Sequence, residues 1–527
     1  MSRPTTRAER TSYAETSSYE DVVAFLRALT DQGAPIHVAS MGKTSEGRDI
    51  PYVVVSRPLV RTASEAKRLG RPVVYVQANI HAGEVEGKEA VQALVRDLAL
   101  ENCSNALDSL VLVAVPIYNP DGNERTAPQE RNRPEQNGPE VVGQRANGQG
   151  LDLNRDYVKA EAEETRAALA MWREWDPDVF IDLHATDGSL HGYALTYAPS
   201  LNQAARVTDA YARALLDSVR ERMRSEHGLE VFPYGNFVRN GEQVDVVDPS
   251  AAEGVVWKTY DGRPRFGTNY YALRGRIAVL VEAYSHDPFA RRVASTQAFL
   301  REVLGQVALH ASDVVALSRK ADDEPRRWAN DASGSPEIGL RSRITAERRL
   351  DDVLVEVVQT SDAGARAEPG LAKGLRRTGA VRPVRMPVLD RFEPTLTRTM
   401  PRGYALTEDA ARALVPLLER HGIKVDRLAG DTELRAIVQP FVMEGRDSGP
   451  RFQNHLETTL RGHYVSEQSR ALTTGTLVVW ADQPRALLAM YLLEPESDDG
   501  VVTWNFLDKL ILPDREFPVL RVLRGKP

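Results

Sequence analysis

Hydrophobic and polar positions follow two different periods between residues 19 and 320. Short apolar runs typical of β-strands are followed by amphipathic stretches with a helical period, which is the pattern of an α/β layer architecture. The clearest predicted strands cover residues 71–79, 110–117, 179–183 and 277–281. The clearest predicted helices cover residues 18–29, 86–100, 160–175 and 288–317. We therefore expect residues 1–320 to form one α/β domain.

The alternation of strand-like and helix-like segments ends after residue 320. The polar stretch KADDEPRRWANDASGSP (residues 320–336) predicts a linker, which we place at residues 321–336. Beyond it, residues 404–428 read as a strand, a helix and a strand, and residues 476–480, 486–493 and 501–506 have the composition of strands. Residues 337–527 are therefore predicted to form an accessory, strand-rich α+β domain.

Composition excludes several classes of function. The 67 basic and 74 acidic residues give a net charge of -7, and the absence of a positive field argues against nucleic acid as a partner. No apolar run is long enough for a signal peptide or a membrane span. We expect a cytoplasmic protein, or a secreted one if a leader has been removed. Cys103 is the single cysteine, so a metal site has to use histidine and carboxylate ligands.

Two predicted strands end in histidines that suit such a site. The strand at residues 71–79 leads into His81 and Glu84, and the run DPDVFIDLH (residues 176–184) ends in His184. Ligands bind at the carboxyl ends of strands in open α/β sheets. H-x-x-E is a weak signal alone, but with His184 it gives two nitrogens and a carboxylate and leaves a coordination position for water. Other histidines, including His191 and His286, are interpreted as loop, surface or core residues.

A third strand delivers a candidate general base. The run RIAVLVE (residues 276–282) ends in Glu282, whose burial at a strand end is expected to raise its pKa. A carboxylate facing a zinc-activated water accepts its proton and later passes it to the leaving amine. Tyr260, in a preceding Gly/Pro-containing loop, is a candidate for closing over the substrate, with Tyr270 and Tyr271 as rivals.

Candidate anion-binding side chains lie between the two metal-binding strands. The Gly-rich segment GQRANGQGLDLNRDY (residues 143–157) carries Arg145, Asn154 and Arg155. A guanidinium beside an amide suits capture of a carboxylate, and a second guanidinium near the metal suits an oxyanion. Three other arginines are interpreted as solvated loop residues: Arg125, Arg131 and Arg133.

In this order the motifs resemble the zinc metallocarboxypeptidases typified by carboxypeptidase A, over about the first three-fifths of the chain. The likeness covers the opening helix, GKTSEGRDI, H-x-x-E, N-P-D-G, R-x-N-x-x-G-x-D-L-N-R, and the strand-end histidine and glutamate. These motifs lie at residues 18–29, 42–50, 81–84, 119–122, 145–155, 184 and 282.

The resemblance implies a fold, a cofactor and a reaction. The fold is a mixed central sheet with helices on both faces, and the cofactor is one zinc ion per chain. The reaction is hydrolysis of C-terminal peptide bonds by a metal-bound water, on substrates with a free carboxylate. The implied zinc ligands are His81, Glu84 and His184. The implied catalytic and substrate-binding residues are Glu282 as general base, Arg145 at the scissile carbonyl, Asn154 and Arg155 on the carboxylate, and Tyr260 as the closing tyrosine.

Two alternatives stay open from the sequence. One is a zinc amidase acting on cell-wall peptides or acyl-amino acids, with the same metal and base. The other is a non-catalytic binding protein on the same fold. The side-chain preference is also open, because no residue in GRPRFGTNYYALR (residues 262–274) aligns with the specificity position of the family.

Overall fold

The computed structural model describes residues 3–331, 335–345, 349–361, 368–371, 373–429, 434–513 and 515–525. Strands and helices alternate through the first 330 residues, as the hydrophobic pattern predicts. The strands of this part are β1 (Ile36–Lys43), β2 (Asp49–Val55), β3 (Val73–Ala78), β4 (Val111–Val115), β5 (Ala127–Pro128), β6 (Val141–Val142), β7 (Val179–Ala185), β8 (Leu195–Pro199), β9 (Val231–Pro233), β10 (Asn236–Arg239), β11 (Glu242–Gln243), β12 (Val255–Lys258) and β13 (Ile277–Ala283). The helices are α1 (Arg7–Arg10), α2 (Tyr19–Asp31), α3 (Ala63–Leu69), α4 (Glu86–Leu100), α5 (Pro120–Glu124), α6 (Gln129–Asn132), α7 (Glu163–Trp175), α8 (Arg206–His227), α9 (Gly267–Leu273), α10 (Phe289–Leu309) and α11 (Ala311–Asn330).

Eight of the described strands form one mixed sheet in the order β1-β2-β4-β3-β7-β13-β8-β9. The four central strands β4, β3, β7 and β13 run parallel, and β2 and β8 flank them antiparallel. Neighbouring side chains in a strand point to opposite faces. In β3, Tyr75 accordingly packs with α7 and α9 on one face, and Val74 and Val76 pack with α4 and α10 on the other. The predicted mixed sheet with helices on both faces is confirmed.

The C-terminal part is rich in strands, as predicted. Its elements are β14 (Ile338–Ile344), β15 (Arg349–Thr360), β16 (Leu375–Leu389), β17 (Phe392–Arg398), β18 (Gly403–Leu406), α12 (Glu408–Arg420), β19 (Asp426–Arg427), β20 (Leu434–Gln439), β21 (Phe441–Phe452), β22 (His455–Tyr464), β23 (Gln468–Leu472), β24 (Leu477–Trp480), α13 (Ala486–Leu493) and β25 (Val519–Arg524). Six of these strands form the sheet β19-β24-β18-β25-β20-β23, and β21 and β22 form a hairpin.

The two parts of the chain share a sheet and a hydrophobic core. β12 pairs in parallel with β16, which places β15 and β16 in a sheet with β10, β11 and β12. Trp172 of the first part belongs to the same buried cluster as Leu414 and Met490 of the second. The C-terminal part is therefore packed against the first part, while the domain boundaries at 320 and 337 remain predictions.

Four local predictions differ from the structure. Residues 288–317 form two helices that meet at His310, and α11 continues through the proposed linker 321–336 as far as Asn330. A stripe of buried residues at helical spacing, Val314, Ser318 and Ala321 among them, explains why this polar segment is helical. Residues 332–334 of that linker lie outside the described part.

Residues 486–493 are the helix α13 and not a strand, and residues 501–506 form turns. Every residue of α13 is buried, and a continuous apolar run does not distinguish a buried helix from a buried strand. No helix in the described ranges is both long and apolar enough to cross a membrane.

Candidate metal centre and active site

Three predicted ligands meet at the carboxyl ends of β3 and β7. His81 and Glu84 lie in the loop between β3 and α4, and His184 is the penultimate residue of β7. Their ligand atoms all lie within 4.8 Å of one another, and all three residues are buried. Glu84 Oε1 is 2.9 Å from His81 Nδ1, and Oε2 is 2.9 Å from His184 Nδ1. The predicted metal site is therefore assembled by strands that are neighbours in the sheet.

A tight loop allows this geometry. At Gly83 a Cβ atom would lie 2.7 Å from Arg133 Cγ and 2.9 Å from the Gly143 carbonyl oxygen, so no larger residue fits without a shift. Gly83 thus lets the loop pass close to the segment that carries Arg133 and Gly143.

The outer nitrogen of each histidine contacts a carboxylate. His81 Nε2 is 3.0 Å from Asp152 Oδ1, and His184 Nε2 is 3.2 Å from Asp182 Oδ2. Such contacts hold the proton on Nε2 and leave the Nδ1 lone pair for a metal. Two imidazoles and one carboxylate in a buried site fit zinc. The sequence reading missed both aspartates, although Asp182 precedes His184 by two residues and therefore shares its face of the sheet.

The charge state of the metal-binding triad, which consists of His81, Glu84 and His184, suits a cation. Burial would raise the pKa of Glu84, but His81 and Arg133 hold it well below its ordinary value. Burial would lower the pKa of His184, but Asp182 and Glu84 raise it well above its ordinary value. Metal binding at His184 therefore displaces a proton.

Glu282 lies beside the triad. In the parallel pairing of β13 with β7, Glu282 is opposite His184. Both side chains line a cavity of about 210 Å³, together with His81 and Glu84. Burial raises the pKa of Glu282 well above its ordinary value; His184 opposes this shift, and the charge of Glu84 adds to it.

Asn154 and Arg155 line the same cavity. They lie in a short 3₁₀ turn that is capped by the Asp152 side chain. Asn154 Oδ1 accepts a hydrogen bond of 2.8 Å from the Gly267 amide, and the Arg155 guanidinium lies 3.9 Å from the centroid of the Phe266 ring. The structure thus brings an amide and a guanidinium next to the triad.

Two arginines approach Glu84. Arg145, which lines the cavity, is 3.6 Å from Glu84 and donates a hydrogen bond of 2.9 Å from Nε to Asp152. Arg133 is buried, lies 3.3 Å from Glu84, and donates to the Ala185 and Thr186 carbonyl oxygens. The interpretation of Arg133 as a solvated loop residue was therefore wrong, whereas Arg125 and Arg131 are exposed. Nothing local in an arginine-rich stretch distinguishes Arg133 from its neighbours.

Tyr260 is the candidate tyrosine that faces the cavity. Its ring lies 5.2 Å from that of Phe266, and burial raises its pKa, so the phenol is neutral and able to donate at neutral pH. The rivals Tyr270 and Tyr271 are fully buried and contact His421 and the Pro177 carbonyl oxygen, respectively.

Comparisons with known proteins agree with this geometry. A mixed α/β sheet carrying a buried His-Glu-His donor set beside a carboxylate defines the class of zinc hydrolases. Residues 22–245 match the family described as zinc carboxypeptidase. Carboxypeptidase 2 of Trichophyton rubrum is 23% identical over 522 residues, covering 95% of this chain and 86% of that protein. Carboxypeptidase D of Homo sapiens is 32% identical over 160 residues, or 29% of this chain and 11% of that protein.

The solved structures that are similar to this chain include a metallo-carboxypeptidase from Burkholderia cenocepacia. It is 20% identical, with a TM-score of 0.41, over 56% of this chain and 70% of that one. A metallo-carboxypeptidase from Pseudomonas aeruginosa is 19% identical, with a TM-score of 0.40, over 57% of this chain and 70% of that one. The part of the chain at residues 22–245 belongs to the zinc carboxypeptidase family, and the zinc ligands are His81, Glu84 and His184. It is a peptide hydrolase that acts on C-termini.

Proposed function

We propose that this carboxypeptidase removes one C-terminal residue at a time and requires a free terminal carboxylate. One observation carries the proposal: the zinc triad, Glu282, and the Asn154 and Arg155 side chains all line one cavity of about 210 Å³. Ligand pockets generally measure about 300–1,000 Å³, so this space suits a single terminal residue.

Glu282 supplies the acid–base chemistry. Zinc, when bound, polarises the scissile carbonyl and makes a water molecule more acidic. A Glu282 carboxylate oxygen then accepts the proton of the attacking water and later delivers it to the nitrogen of the leaving residue. Its raised pKa makes it a stronger base than an exposed glutamate. Because the carboxylate form is the base, activity is expected to decline as the pH falls through that pKa.

Arg145 is the proposed donor to the oxyanion. Its guanidinium lines the cavity and is already oriented by the hydrogen bond to Asp152. A preorganised cation stabilises developing negative charge at little cost of reorganisation. Arg133, whose two terminal nitrogens already donate to carbonyl oxygens and carboxylates, is assigned to holding Glu84 in place.

Asn154 and Arg155 are the proposed clamp for the terminal carboxylate. A guanidinium and an amide together offer several donors to one carboxylate. The Phe266 ring holds the guanidinium by a cation–π contact, and the Gly267 amide fixes the orientation of Asn154. A substrate without the carboxylate leaves the buried Asn154 amide and the partly buried Arg155 guanidinium without this partner, which costs affinity.

The remaining wall of the cavity favours apolar side chains. It is formed by aromatic, aliphatic and hydroxyl residues: Tyr234, Tyr260, Phe266, Thr268 and Leu280. Asp187, the other carboxylate on the wall, is paired with Arg133 and its side chain is 58% exposed. We therefore propose a preference for aliphatic or aromatic C-terminal residues over charged ones.

Paired peptides test this function. Each peptide is offered as the free acid and as the C-terminal amide, with the last residue varied among Leu, Phe, Lys and Glu, and products are identified by mass spectrometry. We expect the acid ending in Leu or Phe to be shortened by one residue, and kcat/KM for the amide to be at least about 100-fold lower. Equal turnover of acid and amide would refute the clamp, and faster release of Lys or Glu would refute the apolar pocket.

A further inference from the structure

We infer that the C-terminal part of the chain positions the carboxylate clamp, through a buried ion-pair cluster in which Glu457 and Asp499 hold Arg265. This inference rests on the proposed function of Asn154 and Arg155. Glu457 and Asp499 are positioning residues, because they contact the clamp only through the segment that contains Arg265.

Two residues that directly follow Arg265 contact the clamp side chains. Phe266 lies against the Arg155 guanidinium, and the Gly267 amide donates to Asn154. At Gly267 a Cβ atom would lie 2.8 Å from the Tyr157 ring, so the backbone has little room to shift in that direction. The conformation of the segment at residues 265–267 therefore sets the orientation of both clamp side chains.

Arg265 is held almost entirely by the C-terminal part. It is 4% exposed, and its guanidinium donates to Asp499 Oδ1 at 3.0 Å and to Glu457 Oε1 at 2.6 Å. Its backbone amide also donates to Asp499 Oδ2 at 2.6 Å. Asp499 thus fixes the main chain and the side chain of the residue that precedes Phe266.

The same part of the chain contacts the other side of the clamp. Gln453, in the turn of the β21–β22 hairpin, accepts from Lys159 Nζ at 2.9 Å, and Lys159 in turn donates to the Arg155 carbonyl oxygen at 2.8 Å. The ring of Trp504 lies 4.2 Å from Lys159 Nζ and 4.6 Å from the Arg265 guanidinium carbon. Both backbone segments of the clamp are therefore anchored to one surface.

This arrangement gives the C-terminal part a function in substrate binding. A buried ion pair that loses one partner leaves an uncompensated charge, and the chain moves to solvate it. Movement of the segment at residues 265–267 displaces Phe266 from Arg155, whereas the triad and Glu282 lie on other segments of the chain. The expected consequence is weaker binding of the terminal carboxylate, with the chemical step preserved.

Steady-state kinetics of Asp499→Asn and Glu457→Gln in the full-length zinc enzyme test this inference. For the free-acid peptide we expect KM to rise about tenfold, kcat to change less than twofold, and zinc content to stay the same. The slower turnover of the amide is expected to be unaffected, because the amide does not use the clamp.

The matched control is Arg485→Gln. Arg485 also joins the C-terminal part to the catalytic part through an ion pair, with Asp176, but Asp176 lies before the first residue of β7, at the opposite end of that strand from His184. We expect this variant to lose stability and to keep the wild-type KM.

The outcomes separate the inference from the proposed function. An unchanged KM in a folded Asp499→Asn protein overturns the inference. If that variant does not fold, Glu457→Gln decides, since Glu457 is partly exposed and its replacement is milder. An equal rise in KM for Arg485→Gln also overturns it, because the effect is then general. If Arg155→Gln leaves KM unchanged, Arg155 does not bind the substrate carboxylate. The proposed function of the clamp is then wrong, and the inference about its positioning fails with it.

Discussion

Replacement of Glu282 by glutamine is expected to lower kcat by a factor of about 10²–10⁴ while zinc stays bound. Glutamine has nearly the same shape, but it has no carboxylate to accept the proton of the attacking water. Glu282 does not belong to the metal triad, so the metal site remains intact. The measurement is kcat on a free-acid peptide, with the zinc content of the same sample determined by elemental analysis.

Asp187→Asn is the control for this variant. Asp187 is the other carboxylate on the cavity wall outside the triad, but it is paired with Arg133 and largely exposed. Its loss is expected to change kcat by less than about threefold, because most of its side chain lies in solvent, where charges interact weakly. Wild-type activity in Glu282→Gln, with zinc bound, would show that another group accepts the proton.

Replacement of His184 by alanine is expected to abolish both zinc binding and activity. Removal of one of three protein ligands leaves two donors, and it removes one of the partners of the Glu84 carboxylate. We expect zinc occupancy below about one-tenth of the wild-type value after dialysis, because ligand number determines affinity at such sites. The test is the zinc-to-protein ratio after dialysis, followed by an assay with added zinc.

The control is His227→Ala. His227 is partly exposed and contacts Glu302 at a distance from the site, so this variant is expected to keep its zinc and its activity. Wild-type protein stripped by a chelator is expected to regain activity when zinc returns, whereas His184→Ala is not. Full zinc content in His184→Ala would exclude this residue as a ligand.

The principal site residues could be predicted because each follows an apolar strand. His81, His184 and Glu282 come at or just after the ends of β3, β7 and β13, and parallel strands that are neighbours bring their carboxyl ends together. Tyr260 was harder to predict from the sequence, because it lies in a loop. Its selection over Tyr270 and Tyr271 depends on which of the three rings faces the cavity.

Residues that act through tertiary contacts could not be found in the same way. Arg133 reaches Glu84 because its segment passes close to Gly83, and Asp152 meets His81 across a gap of 71 positions in the sequence. The contacts of Asp499 with Arg265 join residues 234 positions apart. No local periodicity in the sequence encodes contacts between residues that are so far apart in the chain. In the C-terminal part, burial on all sides also removed the alternation that would have identified α13 as a helix.

X-ray absorption at the zinc edge of protein loaded with one equivalent of metal tests the central claim most directly. We predict multiple-scattering features of two imidazoles, first-shell nitrogen and oxygen at about 2.0–2.2 Å, and no sulfur. In His81→Ala, as in His184→Ala, only two of the three ligands remain, so zinc and its imidazole signal should be lost after dialysis. A spectrum without imidazole, or one that is identical in His81→Ala, would contradict a zinc site built from His81, Glu84 and His184.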